Sequence, residues 1–213
     1  VLDGVSLRNP ETKKSLSVTF SKKYNVPVFA NLETWDAMPT QKEKVSDNNI
    51  NTFEFKEFNI GDISVLPFSI PHDAANPCGF SLSHAGKKIS IATDIGHMTT
   101  NIVDNLTNSS FILLESNYDP NILKCSPYPY PLKQRILGPN GHLPNEMAGK
   151  TISYLANHGL NTVMLGHLSK ENNFPELAYK TVVEQLINDN INCYNFNLSI
   201  ANRDTISPII DIS

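Results

Sequence analysis

Three apolar, β-branched runs in this chain each stop abruptly at a side chain that can bind a metal ion. The runs and their end residues are 63–71 with His72, 89–93 with Asp94, and 162–166 with His167. Runs of this length and composition predict buried strands, and the carboxyl ends of strands in α/β sheets form ligand crevices. The sequence therefore predicts one site that is assembled from three distant parts of the chain.

These three residues have the chemistry of a metal site. Imidazole nitrogens and carboxylate oxygens together suit Zn²⁺, Mn²⁺ or Fe²⁺, and a bridging carboxylate can hold two such ions around a shared water. Each residue alone has an ordinary interpretation, because a histidine after a strand is often a hydrogen-bonded loop residue and an aspartate before Ile-Gly is often a turn former. The shared position at strand ends favours His72, Asp94 and His167 as metal ligands, with Asp94 bridging or anchoring the ion.

Two further residues are candidates for the same site. Glu115 ends the apolar run 111–114 and is predicted to orient a ligand histidine, with a surface carboxylate as the alternative. His142 lies ahead of a predicted helix start, where anions are favoured, so it could donate a proton to a leaving oxygen or hold a phosphate. A purely structural role is the alternative for His142.

The other histidines and the nearby cations rank lower. His84 and His158 are predicted to be structural, and His97 ranks below the main candidates although it follows Asp94 closely. Three cations flank the same loops and could contact phosphate, with solvated loop charge as the alternative: Lys133, Arg135 and Lys170.

Local patterns predict the other elements of the first sixty residues. These are a helix over 11–24, a strand over 26–30, helical turns over 32–38 closed by Pro39, a polar loop over 41–51, and a half-exposed strand over 52–58.

The later part of the chain alternates between strand and helix patterns. The predicted elements are an antiparallel hairpin over 79–84 and 88–93, helices over 101–106, 145–158 and 175–188, and a last strand over 192–200. Residues 127–131 contain three prolines, which predicts a stiff loop near the cleft and not a helix. The alternation predicts an α/β fold, a four-layer αβ/βα sandwich of two mixed sheets with helices outside.

Composition limits the class of protein. At 213 residues, the chain fits one domain with a sizeable core. It contains neither an apolar run of membrane-spanning length nor an opening signal segment, so we expect a cytoplasmic protein that does not enter a membrane. A net charge of −4 argues against a generic nucleic-acid binder, but a metal ion in a cleft can offset phosphate charge and keep nucleic acid possible as a substrate.

Five groups of motifs occur together in this chain. They are Thr93-Asp94-Ile95-Gly96, Leu114-Glu115-Ser116-Asn117, Tyr128-Pro129-Tyr130 with Lys133-Gln134-Arg135, Gly141-His142-Leu143 with Asn145-Glu146, and His167-Leu168-Ser169-Lys170-Glu171-Asn172-Asn173. In this combination they resemble the metallo-β-lactamase fold, specifically its YycJ/WalJ branch. The resemblance extends from about Lys22 to near the C-terminus.

The resemblance carries its own implications for structure and chemistry. It implies one metallo-β-lactamase-like domain over residues 1–213 and a cytoplasmic dinuclear hydrolase, using Zn²⁺ or Mn²⁺, of a branch regarded as exonuclease-like and acting on DNA. It implies His72, Asp94 and His167 as metal ligands, with Asp94 bridging. His142 matches a histidine that the related ribonuclease Z group uses in catalysis.

The chain also departs from the family pattern. The signature His-x-His-x-Asp-His should stand just before the helix predicted over 11–24, where residues 1–14 contain no histidine, and Pro144 replaces the usual serine after His-Leu. We therefore expect a chain that is N-terminally truncated relative to the family, with an incomplete first sheet and one bound ion or none.

Three functions follow as hypotheses. The first is a metal-dependent phosphodiesterase or exonuclease that acts on DNA, with Asp94 and His142 as catalytic residues. The second is a non-catalytic fragment of that fold. The third is a hydrolase of the same fold that acts on a small ester, lactone or thioester.

Overall fold

The computed structural model of the chain describes residues 16–212. Its helices are α1 (Leu16–Tyr24), α2 (Leu32–Ala37), α3 (Pro39–Lys42), α4 (Thr100–Leu106), α5 (Pro120–Cys125), α6 (Tyr130–Leu137), α7 (Asn145–Ala156) and α8 (Pro175–Asn188). Its strands are β1 (Val28–Ala30), β2 (Ile50–Thr52), β3 (Phe58–Ile60), β4 (Ile63–Ser69), β5 (Cys78–His84), β6 (Lys87–Ala92), β7 (Phe111–Glu115), β8 (Thr162–Gly166) and β9 (Asn197–Ile200). Short 3₁₀ turns lie at Asp47–Asn49 and Cys193–Asn195.

The larger sheet contains seven strands in the order in which they occur in the chain, from β3 to β9. Pairing is antiparallel from β3 to β6 and parallel from β6 to β9. Strands β4, β6, β7 and β8 therefore all run in the same direction. Their carboxyl ends meet at one edge of the sheet, as the sequence predicts for the three metal-competent side chains.

One face of this sheet is covered by α4, α7 and α8. A single buried cluster joins Ile112 and Val163 of the sheet to Ile102 of α4, Ile152 of α7 and Val182 of α8. Burial of side chains of this kind contributes about 1.5–3 kcal/mol each. These contacts hold the sheet rigid beneath its edge.

The opposite face is covered by β1 and β2, which form a separate parallel pair. Phe29 of β1 packs with Phe53, Phe58 and Phe80 against this face. On the far side of β1, Trp35 of α2 lies in a second buried cluster with α1. The order of helices, seven-stranded sheet, two-stranded sheet and helices confirms the predicted four-layer arrangement.

The two-stranded sheet covers only part of this face among the described residues. Farther along the large sheet, four apolar side chains stay partly exposed on the same side: Ile89, Ile91, Phe111 and Leu113. Among residues 16–212, this part of the face is therefore only partly covered.

Several predicted elements differ in the structure. Residues 52–58 are not a strand, because β2 ends at Thr52 and β3 begins at Phe58. Phe53 and Phe58 stack with ring centroids 5.5 Å apart across a turn, so their spacing reflects an aromatic cluster and not strand alternation. The predicted loop over 41–51 contains the end of α3, a 3₁₀ turn and the start of β2.

Proline positions explain two further corrections. The helical turns predicted over 32–38 are α2, which ends before Pro39 as predicted, but Pro39 also begins a further helix, α3. Pro131 lies in the first turn of α6, within the segment predicted to be a stiff loop. In the first turn, the missing N–H of proline has no partner to lose. The last strand begins at Asn197, after a 3₁₀ turn that occupies the first part of residues 192–200.

At the N-terminus, residues 11–15 of the predicted first helix lie outside the described residues, and α1 begins at Leu16. Across the described residues, none of the helices combines the length and the apolar character required to cross a bilayer.

Candidate metal centre

The carboxyl edge of the large sheet brings the predicted site residues together. His72 follows β4, Asp94 follows β6, Glu115 ends β7 and His167 directly follows β8. Because the four strands run in the same direction, residues that are up to 95 positions apart in the chain become neighbours. His142 reaches the same point from the loop that precedes α7.

The Asp94 carboxylate is the point on which the imidazoles converge. Its Oδ1 atom lies 3.6 Å from His72 Nε2, 3.7 Å from His142 Nδ1 and 3.4 Å from His167 Nδ1. The His142 ring lies between the other two, with centroids 5.1 Å from His72 and 5.2 Å from His167. The structure thus places the two predicted histidine ligands, and His142, around the carboxylate oxygen of the third predicted ligand, Asp94.

Glu115 forms the floor of the site and is fully buried. Its Oε1 accepts hydrogen bonds from His142 Nδ1 at 2.8 Å and His167 Nδ1 at 2.7 Å. Its Oε2 accepts from the backbone N–H groups of Ile95 at 2.5 Å and Leu143 at 3.3 Å. These are the contacts that a carboxylate needs in order to orient two imidazole rings.

The ionisation of this group follows from its contacts. Burial alone would raise the pKa of Glu115, but hydrogen bonds from His142 and His167, together with their charges, outweigh burial and hold the pKa below its ordinary value. Burial would likewise lower the pKa of His167, yet the hydrogen bond to Glu115 and the charges of Asp94 and Glu115 raise it. Both shifts favour a carboxylate beside a protonated imidazole when no metal ion is bound.

Two of the convergent residues have left-handed backbone conformations. Asp94 has φ +59° and His167 has φ +55°, a region that costs a residue with a Cβ roughly 1–2 kcal/mol. The loop of His167 is held by Asn117, whose Nδ2 donates to the His167 carbonyl at 2.7 Å and whose own carbonyl accepts from Ser169 N at 2.7 Å. Strain of this kind is typical of functional sites.

A buried polar network supports the floor. Asn173 Nδ2 donates to the carbonyls of Ser116 and Asn117 and to Asn145 Oδ1, which also accepts from Ser116 Oγ at 2.6 Å. All four residues are buried. They tie the end of β7 to the start of α7 and to the loop after β8. The sequence analysis assigned no role to Ser116, Asn145 or Asn173; the position of Ser116 directly after an apolar strand is a signal that could have identified it.

The outer side of the site is built from loops and α6, and its side chains range from His72, 11% exposed, to Arg135, 58% exposed. His72 Nδ1 donates to the Gly141 carbonyl at 2.9 Å, which turns its Nε2 atom toward Asp94. Next to it, Asp73 forms a two-point ion pair with Arg135 of α6. The hydrogen bond from Arg135 holds the pKa of Asp73 below its ordinary value.

Two glycines allow these loops to pack closely. A Cβ atom on Gly96 would lie 2.1 Å from the Pro139 carbonyl oxygen, and one on Gly141 would lie 2.1 Å from the Ile136 carbonyl oxygen. Gly96 N also donates to the Pro71 carbonyl at 2.8 Å. The loops that carry His72, Asp94 and His142 therefore interlock through their backbones.

The three remaining histidines lie outside the group of residues around Asp94. His84 bonds to the Asp62 carbonyl near the β5–β6 hairpin, and His158 bonds to the Tyr154 carbonyl at the end of α7. His97 lies on the outer side of the site, where its Nδ1 donates to the Pro139 carbonyl at 2.8 Å.

The donor set fits a metal ion. Ligand atoms of Asp94, Glu115, His142 and His167 all lie within 4.8 Å of one another, and His72 Nε2 also faces Asp94. Within residues 16–212, the Asp94 carboxylate accepts no hydrogen bond, so three imidazoles surround an anionic oxygen at distances too long for direct bonding. A cation held by this oxygen and by His72 Nε2 would satisfy both atoms, and mixed imidazole and carboxylate ligands suit transition-metal ions.

Comparison with known proteins supports the predicted resemblance. No family model matches the sequence. The chain is 34% identical over 196 residues to the exodeoxyribonuclease WalJ of Streptococcus pneumoniae, an alignment that covers 90% of this chain and 73% of that protein. It is 34% identical over 181 residues to the exodeoxyribonuclease YycJ of Bacillus anthracis, covering 81% of this chain and 66% of that protein.

Among solved structures, the metallo-β-lactamase-fold protein YhfI from Bacillus subtilis superposes with a TM-score of 0.61 and 10% identity, covering 91% of this chain and 72% of YhfI. This likeness identifies the fold. The similarity to WalJ identifies the branch within it. With its donor residues gathered at one sheet edge, the chain has the metallo-β-lactamase fold and belongs to the WalJ/YycJ family.

Proposed function

We propose that this protein is a metal-dependent exodeoxyribonuclease that hydrolyses phosphodiester bonds in DNA. The observation that carries the proposal is the Asp94 carboxylate, which faces three imidazoles without a hydrogen bond of its own in the described part of the chain. The relatives are named exodeoxyribonucleases, which supports DNA as the substrate. A DNA substrate also favours a cytoplasmic location.

His72, Asp94 and His167 would hold the ion, with Zn²⁺ or Mn²⁺ as the candidates that suit imidazole and carboxylate ligands. A bound divalent ion would supply the Lewis acidity that activates water and neutralises the charge of a phosphodiester. The ring orientations come from the protein, because Gly141 fixes the Nδ1 atom of His72 and Glu115 fixes that of His167.

His142 is the proposed general acid. Its Nδ1 atom donates to Glu115, which leaves Nε2 to carry the proton that the leaving oxygen requires. The hydrogen bond to the Glu115 carboxylate holds this ring in its orientation. Glu115 itself is shielded from substrate, since it is fully buried.

Metal content and product analysis test the proposal together. The purified protein should contain about one transition-metal ion per chain and should release mononucleotides from a labelled single-stranded oligonucleotide. Asp94→Asn should lose the ion and slow release by more than about a hundredfold. His158→Gln is the matched control, because His158 bonds only to its own helix in the described residues, and it should behave as wild type.

Three results would count against the proposal. They are a protein without a bound ion, products that are internal fragments in place of mononucleotides, or hydrolysis confined to small esters, lactones or thioesters.

A further inference from the structure

The turn that joins α6 to His142 contains the one Asn-Gly pair of the sequence, Asn140-Gly141. The Asn140 side chain is exposed, and its amide forms no hydrogen bond within residues 16–212. Glycine lacks the Cβ atom that in other residues crowds the main-chain nitrogen. The pair therefore places a free side-chain amide next to a main-chain nitrogen that no side chain shields.

Packing explains why glycine is needed at position 141. A Cβ atom there would lie 2.1 Å from the Ile136 carbonyl oxygen and 2.4 Å from the Arg135 carbonyl oxygen, so a larger residue does not fit. The Gly141 N–H donates to the Gly138 carbonyl at 2.9 Å, and this bond must open before the nitrogen can react. Turns open locally at free energies far below that of global unfolding, so the bond slows a reaction of this nitrogen and does not prevent it.

The backbone of the same pair holds the loops of the candidate metal centre. The Asn140 carbonyl accepts from Asp73 N at 3.2 Å, and the Gly141 carbonyl accepts from His72 Nδ1 at 2.9 Å. The loop after β6 packs against the pair from the other side, where a Cβ on Gly96 would lie 2.6 Å from Asn140 Cα. A change in the length of this backbone would therefore be felt by both loops.

We propose that Asn140-Gly141 is a site of spontaneous deamidation and isomerisation, and that its isoaspartyl product displaces the loops of the metal centre. Gly141 N attacks Asn140 Cγ, the bond from Cγ to Nδ2 breaks, and Nδ2 leaves as ammonia with the proton of Gly141 N. Water opens the cyclic imide so formed: its hydroxyl adds to one of the two carbonyl carbons and its other proton returns to Gly141 N. Opening at Cγ gives aspartate, and opening at the main-chain carbonyl carbon gives isoaspartate.

Isoaspartate changes both the length and the charge of the turn. The main chain then passes through Cβ and Cγ, which adds one carbon–carbon bond of about 1.5 Å before Gly141 N. The Gly141 carbonyl cannot keep its place against His72 Nδ1 while Cα of residue 140 stays packed on Gly96. The released carboxylate also adds a negative charge beside Asp73. Because a contact that orients a ligand histidine is lost, metal affinity should fall by more than about tenfold.

Mapping of isoaspartate tests the site itself. The full chain is incubated at mildly alkaline pH, and isoaspartate is located by enzymatic methylation followed by peptide mass spectrometry. It should form at Asn140 at least about tenfold faster than at Asn108, an exposed asparagine that precedes Ser109, because serine has a Cβ atom. Asn140→Gln should form none at this position, since the longer side chain would have to close a larger ring.

The affinity for Zn²⁺, measured by competition with a chromophoric chelator, tests the effect on the centre. Isoaspartyl protein separated by chromatography should bind Zn²⁺ more than about tenfold more weakly than fresh protein. Asn140→Gln incubated in the same way should keep the affinity of fresh wild type. Freshly purified Asn140→Asp carries the added charge without the longer backbone, and it should bind within about threefold of wild type.

The outcomes separate this inference from the proposed function. Isoaspartate that forms at Asn108 as fast as at Asn140 would refute the site. Isoaspartyl protein that binds Zn²⁺ as tightly as fresh protein would refute the displacement of the loops and leave the proposed hydrolase standing. Fresh wild type that binds no Zn²⁺ would refute both the proposed function and the effect on the centre, and isoaspartate mapping would still decide the modification.

Discussion

The inner and outer sides of the metal centre are built in different ways. The inner wall, which consists of Glu115, Ser116, Asn117, Asn145 and Asn173, is buried and each polar group bonds to another part of the chain. The outer rim consists of His72, Asp73 and Arg135 on loops and α6, where the Arg135 side chain is 58% exposed. Glu115 on the inner side and His72 on the outer side both lie beside the Asp94 carboxylate.

The difference shows where the geometry of the site is determined. A buried polar group that loses its partner cannot bond to water, so each loss costs about 1–3 kcal/mol. At the rim, water replaces a lost partner at little cost, and exposed ion pairs contribute about 0–1 kcal/mol. We therefore expect substitutions in the wall to change folding stability and side-chain substitutions at the rim to change function with little effect on stability.

Loss of the wall carboxylate should have the largest effect. Glu115→Ala leaves two backbone N–H groups and two imidazoles without their acceptor, and we expect a loss of about 3 kcal/mol in the free energy of unfolding. Urea denaturation in EDTA measures it. Glu146→Ala, at the exposed start of α7, is the control and should change stability by less than about 0.5 kcal/mol. A loss below about 1 kcal/mol for Glu115→Ala would remove the distinction between wall and rim.

A substitution that disturbs backbone packing at the rim should have the next largest effect on stability. It is the exception to the rule that rim substitutions leave stability unchanged. Gly96→Ala would place a Cβ against a carbonyl oxygen that cannot rotate away, so we expect a loss of about 2 kcal/mol. Gly138→Ala is the control in a neighbouring loop, because its nearest contact would be 3.2 Å. Thermal unfolding of both variants in EDTA provides the measurement. Equal melting temperatures would show that the loops shift freely.

The pH dependence of unfolding should show a smaller effect of the wall. The lowered pKa of Glu115 stabilises the fold above the ordinary carboxyl value of 4.5, and this contribution is lost as the pH falls. The raised pKa of His167 stabilises the fold below the ordinary imidazole value of 6.5, and this contribution is lost as the pH rises through the raised pKa. The two groups together should stabilise the metal-free protein most between pH 4.5 and pH 6.5.

Glu115→Gln should flatten this profile, because the neutral amide no longer changes its charge. Melting temperatures in EDTA from roughly pH 4 to 9 provide the comparison. Because the His167 side chain is 39% exposed, solvent screens part of its contribution. A profile that is equally curved in wild type and Glu115→Gln would assign the pH dependence to other groups.

The smallest effect on stability should come from the ion pair at the rim. Arg135→Gln removes a pair that water can solvate, and we expect a loss of at most about 0.5 kcal/mol by urea denaturation. The same variant should weaken substrate use through KM, because the loop that carries His72 loses its anchor. A stability loss above about 1.5 kcal/mol would show that Arg135, like the residues of the inner wall, determines folding stability.

The sequence predicted the parts of the site that depend on strand patterning. Apolar runs that stop at His72, Asp94 and His167 have a strong local signal, and parallel direction then brings their ends together. The position of Glu115 followed from the same rule. Helix α7 and the β5–β6 hairpin were also predicted closely, because glycine and the period of apolar residues mark their ends.

The rest depends on contacts that local patterns do not encode. The ion pair between Asp73 and Arg135 spans 62 positions, and nothing near either residue identifies its partner. The spacing of Phe53 and Phe58 imitates a strand because both rings pack into one cluster from opposite ends of a turn. The prolines before α6 disfavour a helix interior but are compatible with its first turn, and the sequence alone did not distinguish the two.

The left-handed conformations of Asp94 and His167 bear on how the proposed site would take up a cation. Asn117 donates to the His167 carbonyl and accepts from Ser169 N, so the polypeptide itself fixes the turn at His167. Chelation should therefore be fully reversible, and adding back the ion should restore the centre within the time of diffusion and exchange, with no refolding step. An ion bound at the proposed site would therefore be exchangeable without unfolding of the chain.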